Sequence, residues 1–194
     1  MCGRYYIDDE TAREIEKLVH NLDRRLQSSC KKDIYPAQNA LVLRGDNHDE
    51  IFAEQMIWGF PKYDNKGIII NARSESAMEK GTFKESVLHR RCVIPAKGFY
   101  EWNKSKEKFS FERTDSDSLF MAGCFDIFDG QDRFVILTTK ANSSVRKVHD
   151  RMPLILEKGE IATWLYERDM VQNLLHKTST MLTYETEYEQ MNLF

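Results

Sequence analysis

The fold of this chain is most constrained by a series of short apolar runs between residues 40 and 139. Val, Ile, Phe, Tyr and Trp are frequent in these runs, and turn-forming sequences such as Gly45-Asp46-Asn47 and Asp129-Gly130 separate several of them. Short strands joined by tight turns pair with their neighbours in antiparallel fashion. We therefore predict a mainly antiparallel β-sheet that is strongly curved or barrel-like. The predicted strands are residues 40–44, 51–58, 67–71, 91–94, 99–102, 109–113, 119–128 and 133–139.

Helices are predicted around and within this β-rich stretch. Residues 10–27 place apolar side chains on one face of an amphipathic helix. A short helical insertion is predicted for residues 74–90, and one or two helices for residues 158–177. Because no repeat, low-complexity tract or linker divides the chain, we expect a single α+β domain over residues 1–194 with peripheral helices. The apolar residues of the first helix are Ala12, Ile15, Leu18, Val19, Leu22 and Leu26.

Composition excludes several classes of protein. The chain has 194 residues and a formal net charge of −3, and no apolar run approaches the ~18 residues that a membrane span needs. No two of its cysteines form a CxxC pair, which argues against a zinc site or a disulfide framework and favours a reducing compartment. We expect a cytoplasmic monomer without a metal or cofactor. The cysteines are Cys2, Cys30, Cys92 and Cys124.

Cys2 is the residue with the most distinctive chemistry. Removal of Met1 would leave an N-terminal cysteine with an α-amine and a thiol on adjacent carbons. The α-amine titrates near neutral pH, so it can condense with an aldehyde, after which the thiol can close a thiazolidine ring. Alternatively, the thiol could attack an acyl group with the amine as its base. A cysteine at position 2 also occurs by chance, so the rest of the chain must decide.

Polar residues inside the β-rich stretch are further candidates. Asn71 and Arg73 follow an isoleucine run, and strand alternation would place both on one face. Glu101 lies between two aromatic residues at the end of an apolar strand, a setting that raises the pKa of a carboxyl group and suits it to acid–base work. His149 begins a loop that ends in proline, where functional imidazoles are often found. Each of these residues could instead be structural.

Positive charge is unevenly distributed along the chain. Residues 157–194 contain seven acidic residues and three Lys or Arg, a balance of −4, so the remaining residues balance at +1. A local basic groove on a mildly acidic protein could hold a short single strand of nucleic acid. A solvated surface is the alternative fate of such charges. The basic residues beside the polar motifs are Arg4, Arg73, Arg90, Arg91, Lys97, Lys140, Arg146, Lys147 and Arg151.

Several separated motifs together resemble one family. In chain order they are Cys2-Gly3-Arg4, Trp58-Gly59, Asn71-Ala72-Arg73-Ser74-Glu75, the block from Arg91 to Trp102, and His149-Asp150-Arg151-Met152-Pro153. This set resembles the SRAP family, the SOS response-associated peptidases, which recognise abasic sites in single-stranded DNA. The resemblance is clearest over residues 2–165, and it implies an SRAP-like fold and single-stranded DNA with abasic sites as the partner.

The resemblance implies a covalent reaction of the N-terminal residue. An abasic site exists in part as a ring-opened deoxyribose with a free aldehyde. Cys2 would be the nucleophile and would form an imine and then a thiazolidine crosslink with this sugar. Asn71 would orient the N-terminal residue, and Glu101 would transfer protons during the condensation. His149 would open the sugar ring and allow slow, lyase-like reversal.

The resemblance also implies contacts to the DNA backbone. Arg4, Arg73 and Thr138 match positions that grip phosphates beside the lesion, and Arg151 is a weaker match. Phosphate contacts fix the position of DNA without reading its sequence, as a lesion sensor requires.

Contacts to neighbouring bases depart in part from the family pattern. Pro36 matches a proline that wedges between bases. A tryptophan-rich tip is expected after Trp58-Gly59-Phe60-Pro61, but the chain reads Lys62-Tyr63-Asp64, so Tyr63 would supply a smaller stacking surface. Asp33 replaces an asparagine often found three residues before the proline, which puts a contact there in doubt.

Two other functions remain open from the sequence. One is a thiol peptidase or amidohydrolase that uses Cys2, Glu101 and His149, including on its own Met1. The other is a non-covalent binder of single-stranded DNA in which Cys2 is incidental. A crosslinking protein needs both the amine and the aldehyde, whereas the hydrolase needs only the thiol.

Overall fold

Short strands dominate the chain, with helices before, between and after them. The computed structural model describes residues 2–19, 32–64, 66–115 and 117–186. In chain order the strands are β1 Tyr5–Ile7, β2 Lys32–Ile34, β3 Asn39–Gly45, β4 Ile51–Trp58, β5 Phe60–Pro61, β6 Ile68–Ile69, β7 Asn71–Arg73, β8 Arg91–Ala96, β9 Gly98–Trp102, β10 Lys108–Arg113, β11 Leu119–Phe128, β12 Gln131–Lys140, β13 Arg151–Pro153, β14 Ile155–Leu156 and β15 Leu182–Thr186. The helices are α1 Asp9–Leu18, α2 Ser74–Ala77, α3 Gly81–His89, α4 Ile161–Tyr166 and α5 Val171–Leu175, with a 3₁₀ turn at Lys158–Glu160.

The longer strands close into a barrel. Antiparallel pairing runs from β4 to β3, β8, β11 and β12, and β12 then returns to β4 through a short parallel contact at Arg133–Ile57 and Phe134–Trp58. The predicted barrel-like, mainly antiparallel sheet of an α+β protein is thereby confirmed. β7 and β13 pair with opposite edges of the end of β12, so the chain around Asn71 and the chain around Arg151 flank this strand.

A second sheet, in the order β15-β10-β9-β1-β2, carries the first residues of the chain. β1 pairs antiparallel with β9, with Tyr5 opposite Phe99 and Tyr6 opposite Gly98. Continuing this register towards the N-terminus brings residues 2–4 towards Glu101. The second sheet therefore positions Cys2 beside the acid predicted from the sequence.

The barrel strands are apolar on both faces because each face is covered. One face packs on the second sheet through residues such as Trp58, Phe99 and Phe134. The other face packs on helices α3, α4 and α5 through residues such as Phe83 and Trp164. Burial on both faces explains why the strands read as continuous apolar runs rather than as strict alternation. Among the described residues, no helix is long and apolar enough to cross a membrane.

The predicted elements are confirmed with three differences. The single strand predicted at 67–71 is instead β6 and β7, which pair with β5 and β12 respectively. The helix predicted at 10–27 ends at Leu18, because Val19 already has an extended backbone; Leu22 and Leu26 lie outside the described residues. β1, β2, β5, β13, β14 and β15 were not predicted, since most are too short to show a period.

Candidate active site around Cys2

Cys2 lies in the protein interior beside the second sheet. Its side chain is fully buried, and Sγ lies 3.8 Å from the carbonyl oxygen of Arg4. The backbone N–H of Tyr100 donates to the same carbonyl oxygen over 2.9 Å, which holds this segment against β9. Burial and, to a lesser extent, the negative charge of Glu101 raise the pKa of the Cys2 thiol well above its ordinary value. The thiol is therefore protonated at neutral pH and needs a base before it can attack.

Asn71 anchors the backbone of Cys2. It is the first residue of β7, and the parallel pairing of β7 with β12 places it opposite Ile136. Its Nδ2 donates to the carbonyl oxygen of Cys2 over 2.9 Å. Its Oδ1 is buried and has no hydrogen-bond partner among the described residues. The amide therefore fixes Cys2 with one atom and leaves an acceptor for a group that enters the site.

Glu101 places a buried carboxyl group near Cys2. Only 3% of the residue is exposed. Burial raises the pKa of this carboxyl group, and the positive charge of a protonated His149 opposes the rise. Because Glu101 acts on the Cys2 thiol and His149 acts on Glu101, the three side chains form one electrostatically coupled group. A carboxyl group with a raised pKa holds its proton to higher pH than an exposed one, which suits it to general acid work.

His149 has two contacts at the same ring nitrogen. Its Nδ1 accepts the backbone N–H of Arg151 over 3.0 Å and lies 3.0 Å from Oδ1 of Asp150. One protonation state cannot serve both contacts: a neutral Nδ1 accepts from Arg151, whereas a protonated Nδ1 donates to Asp150. In the neutral ring with Nδ1 as acceptor, the proton lies on Nε2. When Nδ1 carries a proton and donates to Asp150, Nε2 is the nitrogen that accepts and releases a proton, so His149 can exchange a proton at Nε2 while Asp150 holds the ring.

Arg151 and Thr138 lie beneath the site rather than on its surface. Two guanidinium nitrogens of Arg151 donate to the two carboxylate oxygens of Glu75, over 2.6 and 2.9 Å. Hydrogen bonding from Arg151 lowers the pKa of Glu75. Thr138 is fully buried, and its hydroxyl donates to the carbonyl oxygen of Ala72 over 3.3 Å. Both side chains are thus bonded within the protein, although Nε of Arg151 is buried without a hydrogen-bond partner among the described residues.

Arg4 is enclosed by aromatic rings. Its guanidinium carbon lies 4.6 Å from the centre of the Tyr35 ring, 5.5 Å from that of Tyr100 and 5.4 Å from that of Trp102. Asp33 accepts from Arg4 over 3.5 Å and from the Tyr100 hydroxyl over 3.2 Å. Asp33 therefore has a partner within the protein. The sequence did not predict this ion pair or the aromatic rings around Arg4. The aromatic residue Trp102, directly after Glu101, was the one signal for the rings.

The other predicted DNA contacts are at the surface. Arg73 is exposed at the end of β7, and Pro36 is half-buried in a turn that Ala37 closes with a positive φ of 67°. Tyr63 is fully exposed, with no burial of its ring. These positions can reach a ligand without rearrangement of the core.

The remaining cysteines do not join the site. Cys92 and Cys124 are buried free thiols, and burial raises the pKa of both. Cys30 lies outside the described residues. Within the described ranges, no cluster of three or more His, Cys, Asp or Glu side chains could hold a metal ion. The site brings together a thiol, a carboxyl group and an imidazole around one anchored backbone.

Known proteins resemble this chain over most of its length. The abasic site processing protein YoqW of Bacillus subtilis is 31% identical over 196 residues, which cover 90% of this chain and 86% of YoqW. The abasic site processing protein YedK of Escherichia coli is 27% identical over 177 residues, covering 85% of this chain and 79% of YedK. A crystal structure of a Bacteroides thetaiotaomicron protein superimposes with a TM-score of 0.82 at 20% identity, covering 95% of this chain and 91% of that one.

Membership of a family follows from these comparisons. At 20% identity the solved structure supports the fold alone, and it agrees with the barrel described above. The family model for the SOS response associated peptidase matches residues 1–192, nearly the whole chain. The chain therefore belongs to the SOS response associated peptidase (SRAP) family.

Proposed function

We propose that this protein recognises abasic sites in single-stranded DNA and crosslinks to them through Cys2. The relatives YoqW and YedK are named abasic site processing proteins. The observation that carries the proposal is the anchoring of the Cys2 backbone by Asn71 beside a buried carboxyl group and an imidazole. Such an arrangement presents an N-terminal amine and a thiol to one carbon atom of a substrate.

The reaction balances without an oxidant or reductant. Hydrolysis of the Met1–Cys2 peptide bond first exposes the α-amine of Cys2. This amine adds to the aldehyde carbon of the ring-opened sugar, and the resulting carbinolamine loses one water molecule to give an imine. The Cys2 sulfur then bonds to the imine carbon, and the thiol proton ends on the nitrogen. The product is a five-membered thiazolidine. Its formation from the aminothiol and the aldehyde releases one water molecule.

Glu101 supplies the proton transfers of this condensation. In its protonated form, favoured by the raised pKa, it donates to the departing hydroxyl of the carbinolamine. The carboxylate that remains accepts the proton of the Cys2 thiol, whose pKa is too high for spontaneous ionisation at neutral pH. One buried group thus acts as acid and then as base.

Asn71 acts on the N-terminal cysteine, and His149 acts on the sugar. Asn71 holds the Cys2 carbonyl group, and its buried Oδ1 accepts a hydrogen bond from the α-amine, which orients the nitrogen lone pair towards the sugar. With Nδ1 protonated and held by Asp150, His149 takes and returns the proton of a sugar hydroxyl through Nε2, opening the closed sugar and allowing slow reversal.

The DNA is held by exposed groups around the site. Arg73 binds a phosphate at the end of β7, and Pro36 and Tyr63 contact neighbouring bases. Arg4 binds a phosphate on exchanging its 3.5 Å contact with Asp33 for the ligand. Arg151 and Thr138 support β7 and β13 from beneath and keep Asn71 and His149 together.

A denaturing gel tests the proposal. Protein shown by mass spectrometry to begin at Cys2 is incubated with a uracil-containing oligonucleotide that uracil glycosylase has converted to an abasic strand. We expect a covalent adduct with the abasic single strand and far less with the intact strand or with a duplex, because stacking hides the sugar. Absence of any adduct from the abasic single strand would refute the proposal.

A thiol hydrolase is the alternative that the same three side chains support. It would need the Cys2 sulfur but not the α-amine. Reductive methylation of the α-amine, with the thiol left free, separates the two functions. Crosslinking should be lost, whereas a hydrolase would keep its activity.

A further inference from the structure

A groove opens at the protein surface beside His149, and Cys2 is not part of its lining. It lies between the turn that follows β9 and the segment that precedes β13, and it encloses a volume of about 840 Å³. Trp102 and Lys104 line one wall, and Arg146 and Lys147 line the other. Because His149 also lines this groove, one ligand can extend from the site into the groove.

The groove is basic although the protein is acidic. Three Lys or Arg and one Asp line it, which gives a formal charge of 3 − 1 = +2, against −3 for the whole chain. Lys104 and Lys147 are exposed, and neither forms an ion pair with another described residue. Arg146 donates from Nε and Nη2 to the carbonyl oxygen of Ala141, over 3.2 and 3.0 Å, which fixes its guanidinium group at the wall. These cations are available to an anionic ligand.

Trp102 adds a flat apolar surface to this groove. It is 36% exposed, whereas Trp58 and Trp164 are fully buried. The guanidinium group of Arg4 lies 5.4 Å from the centre of the Trp102 ring. This cation–π contact holds the ring in one orientation while part of its surface faces the groove.

We propose that this groove binds the single strand that flanks the abasic nucleotide, with Trp102 stacked on a base and Lys104, Arg146 and Lys147 bound to its phosphates. The proposal rests on the function proposed above. An aromatic face next to several cations matches a nucleotide, which combines a π-surface with a phosphate. An acidic peptide would pair with the cations, but its carboxylates would offer no ring to stack on the indole of Trp102.

Tryptophan fluorescence tests the stacking directly. Because Trp102 is the exposed tryptophan, quenching of the emission by a 12-residue oligothymidylate reports on this ring. We expect quenching by the oligothymidylate and none by inorganic polyphosphate, which carries phosphates without bases. The Trp102→Phe variant should show no quenching. Trp102→Ala should weaken oligothymidylate binding by about 5- to 150-fold, the range that loss of one base stack gives.

The salt dependence of binding tests the cations. Each phosphate contact to a single strand adds about 0.7 to the slope of log K against log salt, so replacing Lys104, Arg146 and Lys147 by Ala should reduce the slope by about 2. The matched control is the triple Ala variant of Arg13, Lys17 and Lys84, which are exposed on α1 and α3 and do not line the groove. It makes the same change in net charge and should leave the slope unchanged.

Three results would overturn the proposal. Unchanged emission at oligothymidylate concentrations where anisotropy shows binding would exclude stacking on Trp102. Equal affinity for polyphosphate and oligothymidylate would mark a general polyanion site. Equal slopes for both triple variants would exclude the groove cations. These measurements use intact oligothymidylate, so failure of wild-type protein to crosslink abasic DNA would refute the proposed function without deciding the groove.

Discussion

Replacement of Asn71 by Ala removes the side chain that anchors Cys2 and leaves every reacting group in place. The change removes the 2.9 Å hydrogen bond to the Cys2 carbonyl oxygen and leaves that buried oxygen without its donor. A buried polar group left unsatisfied costs about 1–3 kcal/mol. If that energy is lost from the arrangement in which Cys2 is poised, the crosslinking rate falls by about 5- to 150-fold.

Single-turnover crosslinking at saturating abasic oligonucleotide measures this effect. The product of Asn71→Ala should be chemically the same as that of the wild type, because no reacting atom is removed. Asn142→Ala is the matched control, since Asn142 also donates its Nδ2 to backbone carbonyl oxygens, those of Ser179 and Thr180, but does not contact Cys2. It should lower the melting temperature and leave the rate unchanged. A wild-type rate for folded Asn71→Ala would refute the anchoring role.

Four further outcomes follow from the same site. Cys2→Ala should form no stable crosslink but should still give an imine that borohydride traps; stable crosslinking by this variant would remove the thiol from the mechanism. Glu101→Gln should become more stable relative to the wild type as pH rises. The raised pKa of Glu101 gives the wild type stability that is fully present below the unfolded pKa and is lost as pH rises through the folded pKa. A difference in melting temperature between the two proteins that is the same at every pH would contradict this. His149→Ala should slow crosslinking by about 10²–10⁴-fold at unchanged product, and an unchanged rate would make His149 structural. Arg151→Ala and Glu75→Ala should show a coupling energy of about 0.5–3 kcal/mol in a double-mutant cycle of unfolding free energies, and a double variant that loses only the sum of the two single losses would show that the pair is not coupled.

Much of the fold could be predicted because the barrel strands are buried on both faces. Such strands read as long apolar runs with turn signals between them, as at β11 and β12. The shortest strands could not be predicted, since two or three residues carry no period. β13 forms by pairing with the edge of β12, and such a pairing depends on the tertiary structure rather than on the local sequence.

The structure brings the residues of the predicted site together, but the sequence did not predict all of their contacts. Cys2, Asn71, Glu101 and His149 were predicted from the chemistry of each side chain and the order of the motifs. Sequence could not show that Arg151 pairs with Glu75, because the two residues are 76 positions apart and meet through β7, β12 and β13. Nor could it show the aromatic rings around Arg4, which come from β9 and from the turn after β2.

The state of the Cys2 sulfur in the DNA adduct tests the central claim most directly. Adduct formed by protein that begins at Cys2 is digested with nuclease and protease, and the N-terminal peptide is treated with iodoacetamide and borohydride before its mass is measured. A thiazolidine predicts a peptide that carries the sugar less one water, resists alkylation at Cys2 and gains no hydrogen from borohydride. A peptide with alkylated Cys2 and a borohydride-reduced bond to the sugar would show an imine through the amine alone and would contradict the proposed crosslink.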